Sequence, residues 1–202
     1  MRKTPAQPII YDDQGRMFIE HDWHPDPLPQ NIDLDEMSYP DTSYSFTTFF
    51  SKEPVAFKLG YASGNYGHSI FTTGEHGKIN VGKFVVLQGT RIVSNLSVTI
   101  EDHVMVSWGS VITDSWFTKK VLSVKQRRDM LVKTAHSDNR HLEFASPALI
   151  VIEENAWVGF GATINRGTVV SVHRAVLPRT LIAYCLLNCF TITSSSNWSF
   201  IT

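Results

Sequence analysis

Two histidines around an aspartate form the segment of this chain best suited to proton transfer. His136 and His141 flank Asp138 in the polar segment 136–141, His-Ser-Asp-Asn-Arg-His. Because the pKa of an imidazole lies near neutrality, either ring can take a proton from a hydroxyl or amine, and Asp138 can orient it. An exposed loop residue is the simpler interpretation of each histidine alone. Of the two, we predict His136 as the general base.

Asn95 and Asp114 are two further polar residues suited to binding a substrate. The carboxamide of Asn95 can hydrogen-bond an acceptor or a reaction intermediate, and the carboxylate of Asp114 can hold a base or bind a hydroxyl group. Each residue also has a purely structural interpretation, since Asn and Asp are common in turns. From the residues alone, both the binding interpretation and the turn interpretation stay open.

The segment 21–24, His-Asp-Trp-His, places two imidazoles and a carboxylate close together in sequence. A zinc site takes three or four such ligands. Only this short pair is present, no cysteine is near, and the surrounding region is rich in proline and aspartate. We therefore interpret the segment as a solvated loop and expect no metal ion.

Aliphatic residues that recur every six positions indicate the elements that must position these side chains. The recurring residues are Val81, Leu87 and Val93, then Ile100, Val106 and Ile112 after one inserted residue, and finally Ile152, Val158, Ile164 and Val170. Small or medium residues follow four positions later, at Val85, Val104, Ser110, Ala156, Ala162 and Thr168. A helix repeats every ~3.6 residues and a strand every ~2, so neither explains this period.

A triangular coil does explain it. Each side of the coil is a short strand followed by a turn, about three sides complete one coil, and the aliphatic residue points inward. Successive coils pair their strands in parallel, which satisfies the backbone hydrogen-bonding groups. The strands of a β-sandwich are the alternative, but the unbroken series that begins at Ile152 favours the coil. We predict an all-β parallel β-helix.

The same period divides the chain into regions. Residues 1–78 lack it and are predicted as an irregular N-terminal arm and a β cap. Residues 79–202 are predicted as the β-helix, interrupted by an excursion over 113–148 that contains a short helix within 121–135. Ser123 can cap that helix, with Gln126 three residues later. After Val170 the repeat weakens, and this tail is either a divergent cap or the product of a shifted reading frame.

The repeats resemble those of the hexapeptide-repeat acyltransferases, which include sugar O-acetyltransferases. The matching segments are 81–87, 100–109 and 152–162, and the last of these is the most specific. The resemblance implies a left-handed coil and a homotrimer with active sites between neighbouring subunits. It also implies that acetyl-CoA lies along the coils and donates its acetyl group to a hydroxyl or amine of a small acceptor, such as a sugar.

The resemblance further implies roles for individual residues. Asn95 matches an active-site asparagine of the sugar acetyltransferases, so we predict that Asn95 and Asp114 orient the acceptor as catalytic partners of His136. The catalytic histidine of the family aligns with Phe117, which cannot accept a proton. The base must therefore be another histidine of the excursion, or catalysis has been lost. Coenzyme A is expected where small residues allow close approach and an arginine can pair with a phosphate. The residues assigned to it are Trp157, Gly159, Gly161, Ala162, Arg166 and Thr168.

Two alternative functions are compared with acyl transfer. Phe117 and the unusual tail favour a trimeric β-helix that has lost catalysis and serves as a scaffold or binding module. A metal-dependent β-helix hydratase would need three histidines that meet across a subunit boundary. His68, His76 and His103 are scattered along the chain, which argues against that enzyme.

Composition excludes several other classes of function. The 202 residues are 43% hydrophobic and 18% charged, as in ordinary globular proteins, and the formal net charge of -1 gives no electrostatic basis for binding nucleic acid. The longest apolar segment, 181–192, is too short to span a bilayer. No apolar stretch follows Met1, and Cys185 and Cys189 are the only cysteines. We expect a cytoplasmic protein without a disulfide framework.

Overall fold

The computed structural model describes residues 9–115, 123–136, 146–182, 190–192 and 199–200. Within these ranges the chain forms a left-handed parallel β-helix with three faces. Two faces are six-stranded sheets and the third is an eight-stranded sheet. The predicted all-β fold class, a left-handed parallel β-helix, is confirmed.

An antiparallel hairpin precedes the coils and consists of β1 (Ile9–Tyr11) and β2 (Met17–Ile19). Each coil then contributes one strand to each face. Coil 1 contains β3 (Ile32–Leu34), β4 (Tyr39–Pro40) and β5 (Thr48–Phe49); coil 2 contains β6 (Phe57–Leu59), β7 (Gly64–Tyr66) and β8 (Ile70–Thr73); coil 3 contains β9 (Ile79–Val81), β10 (Val86–Gln88) and β11 (Arg91–Ser94); coil 4 contains β12 (Val98–Ile100), β13 (Met105–Val106) and β14 (Val111–Thr113); coil 5 contains β15 (Ile150–Ile152), β16 (Trp157–Val158) and β17 (Thr163–Asn165); coil 6 contains β18 (Val169–Val170), β19 (Ala175–Val176) and β20 (Leu181–Ile182).

Corresponding strands of successive coils pair in parallel. The first face contains β3, β6, β9, β12, β15 and β18; the second contains β4, β7, β10, β13, β16 and β19; the third contains β5, β8, β11, β14, β17 and β20. In the tail, β21 (Phe190–Ile192) and β22 (Ser199–Phe200) extend the third face with antiparallel pairing. We call the turn after the first face the first corner, and name the second and third corners in the same way.

Aliphatic side chains stack inside the coils, as the period of six predicts. Ile100 pairs with Val81 of the preceding coil and Ile152 of the following coil, and Val170 follows Ile152. All four are almost completely buried. Removing such a side chain from water stabilises the fold by about 1.5–3 kcal/mol. This ladder of stacked side chains is the main apolar core of coils 3 to 6.

One predicted member of the core, Val93, is displaced by one position. Ile92 pairs with Ile112, and Val93 pairs with Thr113. Ile92 therefore occupies the inward position and Val93 points to the other side of the strand. The reason is a shorter turn, because only Gly89 and Thr90 separate β10 from β11. Gly89 has a φ of 52°, a left-handed conformation that closes such a tight turn at little steric cost.

Small residues occupy the inner side of the corners, as predicted. A bulky side chain would not fit where two faces meet, and each predicted position is buried. These positions are Val85, Val104, Ser110, Ala156, Ala162 and Thr168.

The coils begin well before the predicted boundary at residue 79. β3 pairs with β6, and β6 pairs with β9, so coils 1 and 2 are continuous with the stack that follows. Their interior contains Phe46, Phe57 and Phe71, which are buried against one another. Aromatic side chains at unequal spacing hide the six-residue period here, which is why the sequence predicts only a cap.

The excursion leaves coil 4 after β14 and returns before β15. Its two ends are adjacent, because the backbone N–H of Ala148 donates a hydrogen bond of 2.8 Å to the carbonyl oxygen of Asp114. The excursion contains α1 (Val124–Ala135), which begins with the predicted capping box of Ser123 and Gln126. None of the α1 residues is buried, so the helix does not pack into the coil. No helix in the described parts of the chain is long and apolar enough to cross a membrane.

Candidate active site

The excursion starts at a buried carboxylate, that of Asp114, whose exposed fraction is 0%. Its oxygens accept hydrogen bonds from the backbone N–H groups of Asn95 (2.9 Å) and Leu96 (2.8 Å). The hydroxyl of Ser115 donates to it at 2.6 Å, and the hydroxyl of Ser94 lies at 3.0 Å. Hydrogen bonds to an ionised acceptor are strong and offset the cost of burial. Asp114 therefore fixes the turn at Asn95 and has little capacity left to act as a base.

The side chain of Asn95 is held from two directions. Its Nδ2 donates to the hydroxyl of Ser115 at 3.1 Å. Its Oδ1 lies against Gly74, where any added Cβ would collide with it. A carboxamide has two N–H donors, and no other described residue accepts from the half-buried Asn95, so its second N–H can meet a ligand. The third corner thus presents an oriented hydrogen-bond donor at the base of the excursion.

Sequence reasoning placed Asn95 and Asp114 in one site, and the structure brings them into direct contact. It missed the residues that hold them, which are Ser94, Ser115 and Gly74. The sequence does show the adjacent polar residues Asp114 and Ser115, and polar residues recur after the strands of the third face. Only the register between coils shows that these residues meet.

The predicted base, His136, lies at the C-terminal cap of α1. Its backbone N–H donates to the carbonyl oxygens of Val132 and Lys133. The imidazole is exposed and has no hydrogen-bond partner among the described residues. His141, Asp138 and Phe117 lie outside those residues. The role of His136 therefore stays a prediction.

The residues assigned to coenzyme A are spread along coil 5. Trp157 lies on the outer side of the second face, is 47% exposed, and donates its indole N–H to the hydroxyl of Ser107 at 3.0 Å. Gly159 lies against the next coil, and a Cβ there would come within 2.6 Å of the carbonyl oxygen of Val176. Coil packing alone accounts for this glycine. Gly161 adopts a φ of 63° in the second corner.

Arg166 is the assigned residue with the strongest link to the third corner. Asn165 pairs with Thr113, so Arg166 lies one coil below Asp114. Its Nε atom is buried and has no hydrogen-bond partner among the described residues. An unpaired buried donor costs about 1–3 kcal/mol, more for a charged group, so a hydrogen-bond partner at this atom would be stabilising. Ala162 and Thr168 point into the coil and can offer a ligand only their backbone.

No group of three or more His, Cys, Asp or Glu side chains is arranged to hold a metal ion in the described ranges of the chain. His24 instead contacts the hydroxyl of Ser43, with its Nδ1 at 3.1 Å. His103 occupies the first corner with a φ of 60° and stacks on the ring of Phe84, at a centroid distance of 5.1 Å.

Comparison with known proteins gives similarity to solved structures. No family model matches the chain, and no curated protein matches it. The chain is similar to the crystal structure of a "putative acetyltransferase" from Bacillus cereus, at 14% sequence identity and a TM-score of 0.29. The aligned part covers 83% of this chain and 78% of that chain. At this level of similarity the match carries no argument about activity.

Proposed function

We propose that this protein is an acyltransferase that moves an acetyl group from acetyl-CoA to a hydroxyl or amine of a sugar-like acceptor. The observation that carries the proposal is the third corner, where Asp114 and Ser115 orient the Asn95 carboxamide. The excursion starts and ends at this corner. A loop that leaves a regular coil at an oriented polar group is well placed to build a substrate cleft.

In the proposed reaction, the acceptor oxygen or nitrogen attacks the thioester carbonyl carbon and the thiolate of coenzyme A leaves. His136, carried by the excursion, takes the proton of the acceptor. Asn95 donates its remaining N–H to the acceptor or to the oxyanion that forms. Asp114 acts through the Asn95 turn, since its oxygens already accept hydrogen bonds within the protein. Holding both substrates in one orientation supplies a large part of the rate.

For acetyl-CoA, the proposal assigns Trp157, Gly161 and Arg166 to direct contact. The guanidinium of the partly buried Arg166 suits a phosphate, because it combines a positive charge with a planar set of N–H donors. Trp157 offers an exposed ring along which the pantetheine can lie. Gly159, Ala162 and Thr168 would shape the coil beneath the ligand and contribute backbone groups only.

We further propose that the protein is a homotrimer that works in the cytoplasm, where acetyl-CoA is available. The outer side of the second face supports the assembly, because Val86, Met105, Trp157 and Ala175 align there in register. Met105 and Trp157 are both about half exposed in the single chain. An exposed apolar strip of this kind favours contact with another subunit. Light scattering of the purified protein should give three times the mass of one chain.

One observation favours a second function, that of a binding module without catalysis. The imidazole of His136 has no partner within the described part of the chain, and Phe117 stands where the family resemblance expects a histidine. Such a protein would bind the same ligands at the third corner and transfer nothing. Ligand binding and turnover must therefore be measured separately.

The first experiment is a thermal shift with coenzyme A and with acetyl-CoA. A ligand that binds only the folded protein must raise its melting temperature. We expect both compounds to do so, Arg166→Ala to reduce the shift, and Arg91→Ala, an exposed arginine on the third face, to leave it unchanged. No shift with either compound would reject the acyltransferase and its coenzyme A site together.

The second experiment measures thiol release from acetyl-CoA with a panel of sugars and amino sugars. We expect His136→Ala to lower turnover by about a hundredfold or more, the usual contribution of a general base. His103→Ala changes an exposed histidine at the first corner, away from the third, and serves as the control. Full activity in His136→Ala would reject this residue as the base. Coenzyme A binding without turnover for any acceptor would favour the binding module.

A further inference from the structure

Three side chains form an exposed aromatic cluster at the N-terminal end of the β-helix, which we call the aromatic platform: Trp23, Tyr44 and His68. The ring centroids of Trp23 and Tyr44 are 5.3 Å apart, with 40° between the ring planes. His68 meets Trp23 edge-on at 6.1 Å. Trp23 is 63% exposed, which is unusual for the largest apolar side chain.

The platform is held in place by the segment 21–24, which the sequence singled out for its histidines. The carboxylate of Asp22 accepts hydrogen bonds from the hydroxyl of Thr42 (2.8 Å), the backbone N–H of Ser43 (2.6 Å) and the backbone N–H of His24 (3.2 Å). These bonds tie the loop that carries Trp23 to the 3-10 helix Ser43–Phe46, which carries Tyr44. The exposed indole is thus fixed and not free to fold away from water.

Hydrogen-bonding groups border the rings. The carboxylate of Asp41 accepts the backbone N–H of His68 at 3.1 Å, and its Oδ2 lies 3.7 Å from the imidazole Nδ1 of the same residue. Asp41 is partly exposed and the imidazole of His68 is largely exposed, so both can reach a ligand that lies on the rings. The platform therefore combines exposed aromatic rings with polar groups at its edge.

We propose that the aromatic platform is a saccharide-binding site. A pyranose ring has an apolar face of C–H groups, which stacks on an indole or phenol ring, and hydroxyls around its edge, which suit a carboxylate and an imidazole. A caged organic cation fits less well, because the rings of Trp23 and Tyr44 are in contact and leave no gap between them. Asp22 positions the indole without touching the sugar.

This site is separate from the third corner. Tyr44 lies between the second and third faces in coil 1, and His68 lies at the second corner in coil 2, whereas Asn95 lies at the third corner of coil 3. Saccharide binding at the platform goes beyond the proposed acetyl transfer and needs no acetyl-CoA. The test therefore omits that compound, so its result does not depend on whether acyl transfer occurs.

The experiment is isothermal titration of the full chain with cellotetraose, maltotetraose and chitotetraose. We expect at least one of the three to bind, and Trp23→Ala to weaken that binding about tenfold or more, as for loss of an aromatic anchor. Trp23→Phe should retain part of the affinity, since it keeps an aromatic face. Phe84→Ala removes a comparably exposed aromatic ring at the first corner and should leave binding unchanged.

Thermal melting of each variant accompanies the titration. Trp23 is exposed, so Trp23→Ala should keep a melting temperature close to that of the unchanged protein. His68→Ala provides a second variant that weakens binding and does not alter the Asp22 hydrogen bonds. The proposal is overturned if none of the three tetrasaccharides binds, or if Trp23→Ala and His68→Ala both bind as tightly as the unchanged protein.

Discussion

The interior of coils 1 and 2 differs from that of coils 4 to 6, although both regions have the same backbone geometry. In coils 1 and 2, the rings of Phe46 and Phe57 lie 5.1 Å apart, and those of Phe57 and Phe71 lie 4.6 Å apart. In coils 4 to 6, aliphatic residues such as Ile100 and Ile152 stack in register. One parallel ladder therefore accepts two kinds of core, provided that the volume inside the triangle is filled.

The polar residues inside the two regions differ as well. In coil 2, Asn65 pairs with Leu87 of the next coil and is 0% exposed. Its carboxamide donates to the hydroxyl of Ser45 and accepts the backbone N–H of Asp41, so the buried amide is compensated. At the end of coil 5 and in coil 6, the hydroxyls of Thr168 and Thr180 are buried without a partner among the described residues. Asn65 of coil 2 thus has its hydrogen-bonding groups paired, whereas these two threonine hydroxyls have no partner in the described part of the chain.

The largest expected effect tests whether the aromatic coils are integral to the fold. Phe57→Ala should lower the free energy of unfolding by about 3–5 kcal/mol, because it removes a fully buried ring between two others. Ile152→Ala in coil 5 should cost about 2–5 kcal/mol for the same reason. Urea unfolding followed by circular dichroism measures both, with exposed Val124→Ala as the control. A loss below that of the control for Phe57→Ala would show that coils 1 and 2 fold independently of the stack.

The next largest effect is expected at the third corner, where the excursion leaves the stack of coils. Asp114→Asn replaces one acceptor oxygen with an N–H₂ group that faces the backbone donors of Asn95 and Leu96. We expect a loss of about 2–3 kcal/mol in unfolding free energy, since hydrogen bonds to a buried charge are broken. Acetyl transfer should fall as well, because Asn95 loses its orientation. Unchanged stability in urea would contradict the role given to this carboxylate.

A matched pair of hydroxyl deletions sharpens the comparison between coil 2 and the end of coil 5. The hydroxyl of Ser63 donates to the carbonyl oxygen of Gly82 at 2.6 Å and accepts the backbone N–H of Val85 at 2.9 Å. Ser63→Ala should therefore destabilise the protein by about 2 kcal/mol. Thr168→Val removes a buried hydroxyl without a partner in the described structure and should stabilise it by about 1 kcal/mol.

Melting curves of the two variants give the result directly. A lower melting temperature for Ser63→Ala and a higher one for Thr168→Val would support the difference between the coils. Destabilisation by Thr168→Val would show that its hydroxyl has a partner in the folded protein. The distinction matters for Arg166, whose unpaired Nε belongs to the same region.

The smallest effect is a pH dependence at Asp22, beside the aromatic platform. Partial burial of its carboxyl raises the pKa, but hydrogen bonds from Ser43, Thr42 and His24 outweigh it and hold the pKa below the usual value of 3.8. The folded state therefore favours the ionised carboxylate. Its contribution to stability is fully present above pH 3.8 and is lost as the pH falls through the lower pKa of the folded protein.

Asp22→Asn should remove this contribution and flatten the loss of stability in acid. Unfolding in urea at a series of pH values below 5 measures it, with Asp13→Asn, an exposed aspartate in the N-terminal hairpin, as the control. The same slope for Asp22→Asn and the unchanged protein would show that the hydrogen bonds to Thr42 and Ser43 do not favour the charged form.

The sequence predicts the fold wherever the interior is aliphatic. Stacked residues such as Ile100 and Ile152 belong to a series with a fixed spacing, and the capping box of Ser123 involves near neighbours in sequence. Both features can therefore be recognised from the sequence alone. The sequence does not predict coils 1 and 2, because an aromatic ring (Phe57) and a carboxamide (Asn65) occupy interior positions that aliphatic side chains occupy in the later coils. Val93 is misplaced because a shortened turn shifts the spacing by one residue.

The candidate site is predicted less completely than the fold. Asn95 and Asp114 are identified by residue type, but Ser94, Ser115 and Gly74 hold them through contacts between coils, which no local pattern reveals. The position of His136 relative to this corner depends on the excursion, which follows no repeat. Roles that depend on register can be inferred only once the register is known.

The hydrogen bond between Ala148 and Asp114 has a consequence for how such a protein can change. This hydrogen bond already joins the two ends of the excursion, so the excursion can be exchanged as a unit without support from it for the stacked coils. Loops of other lengths and sequences can be grafted between these two residues while the ladder of coils above and below stays intact. Under the proposed function, new acceptor preferences can evolve, or be engineered, at one corner without redesigning the scaffold that carries it.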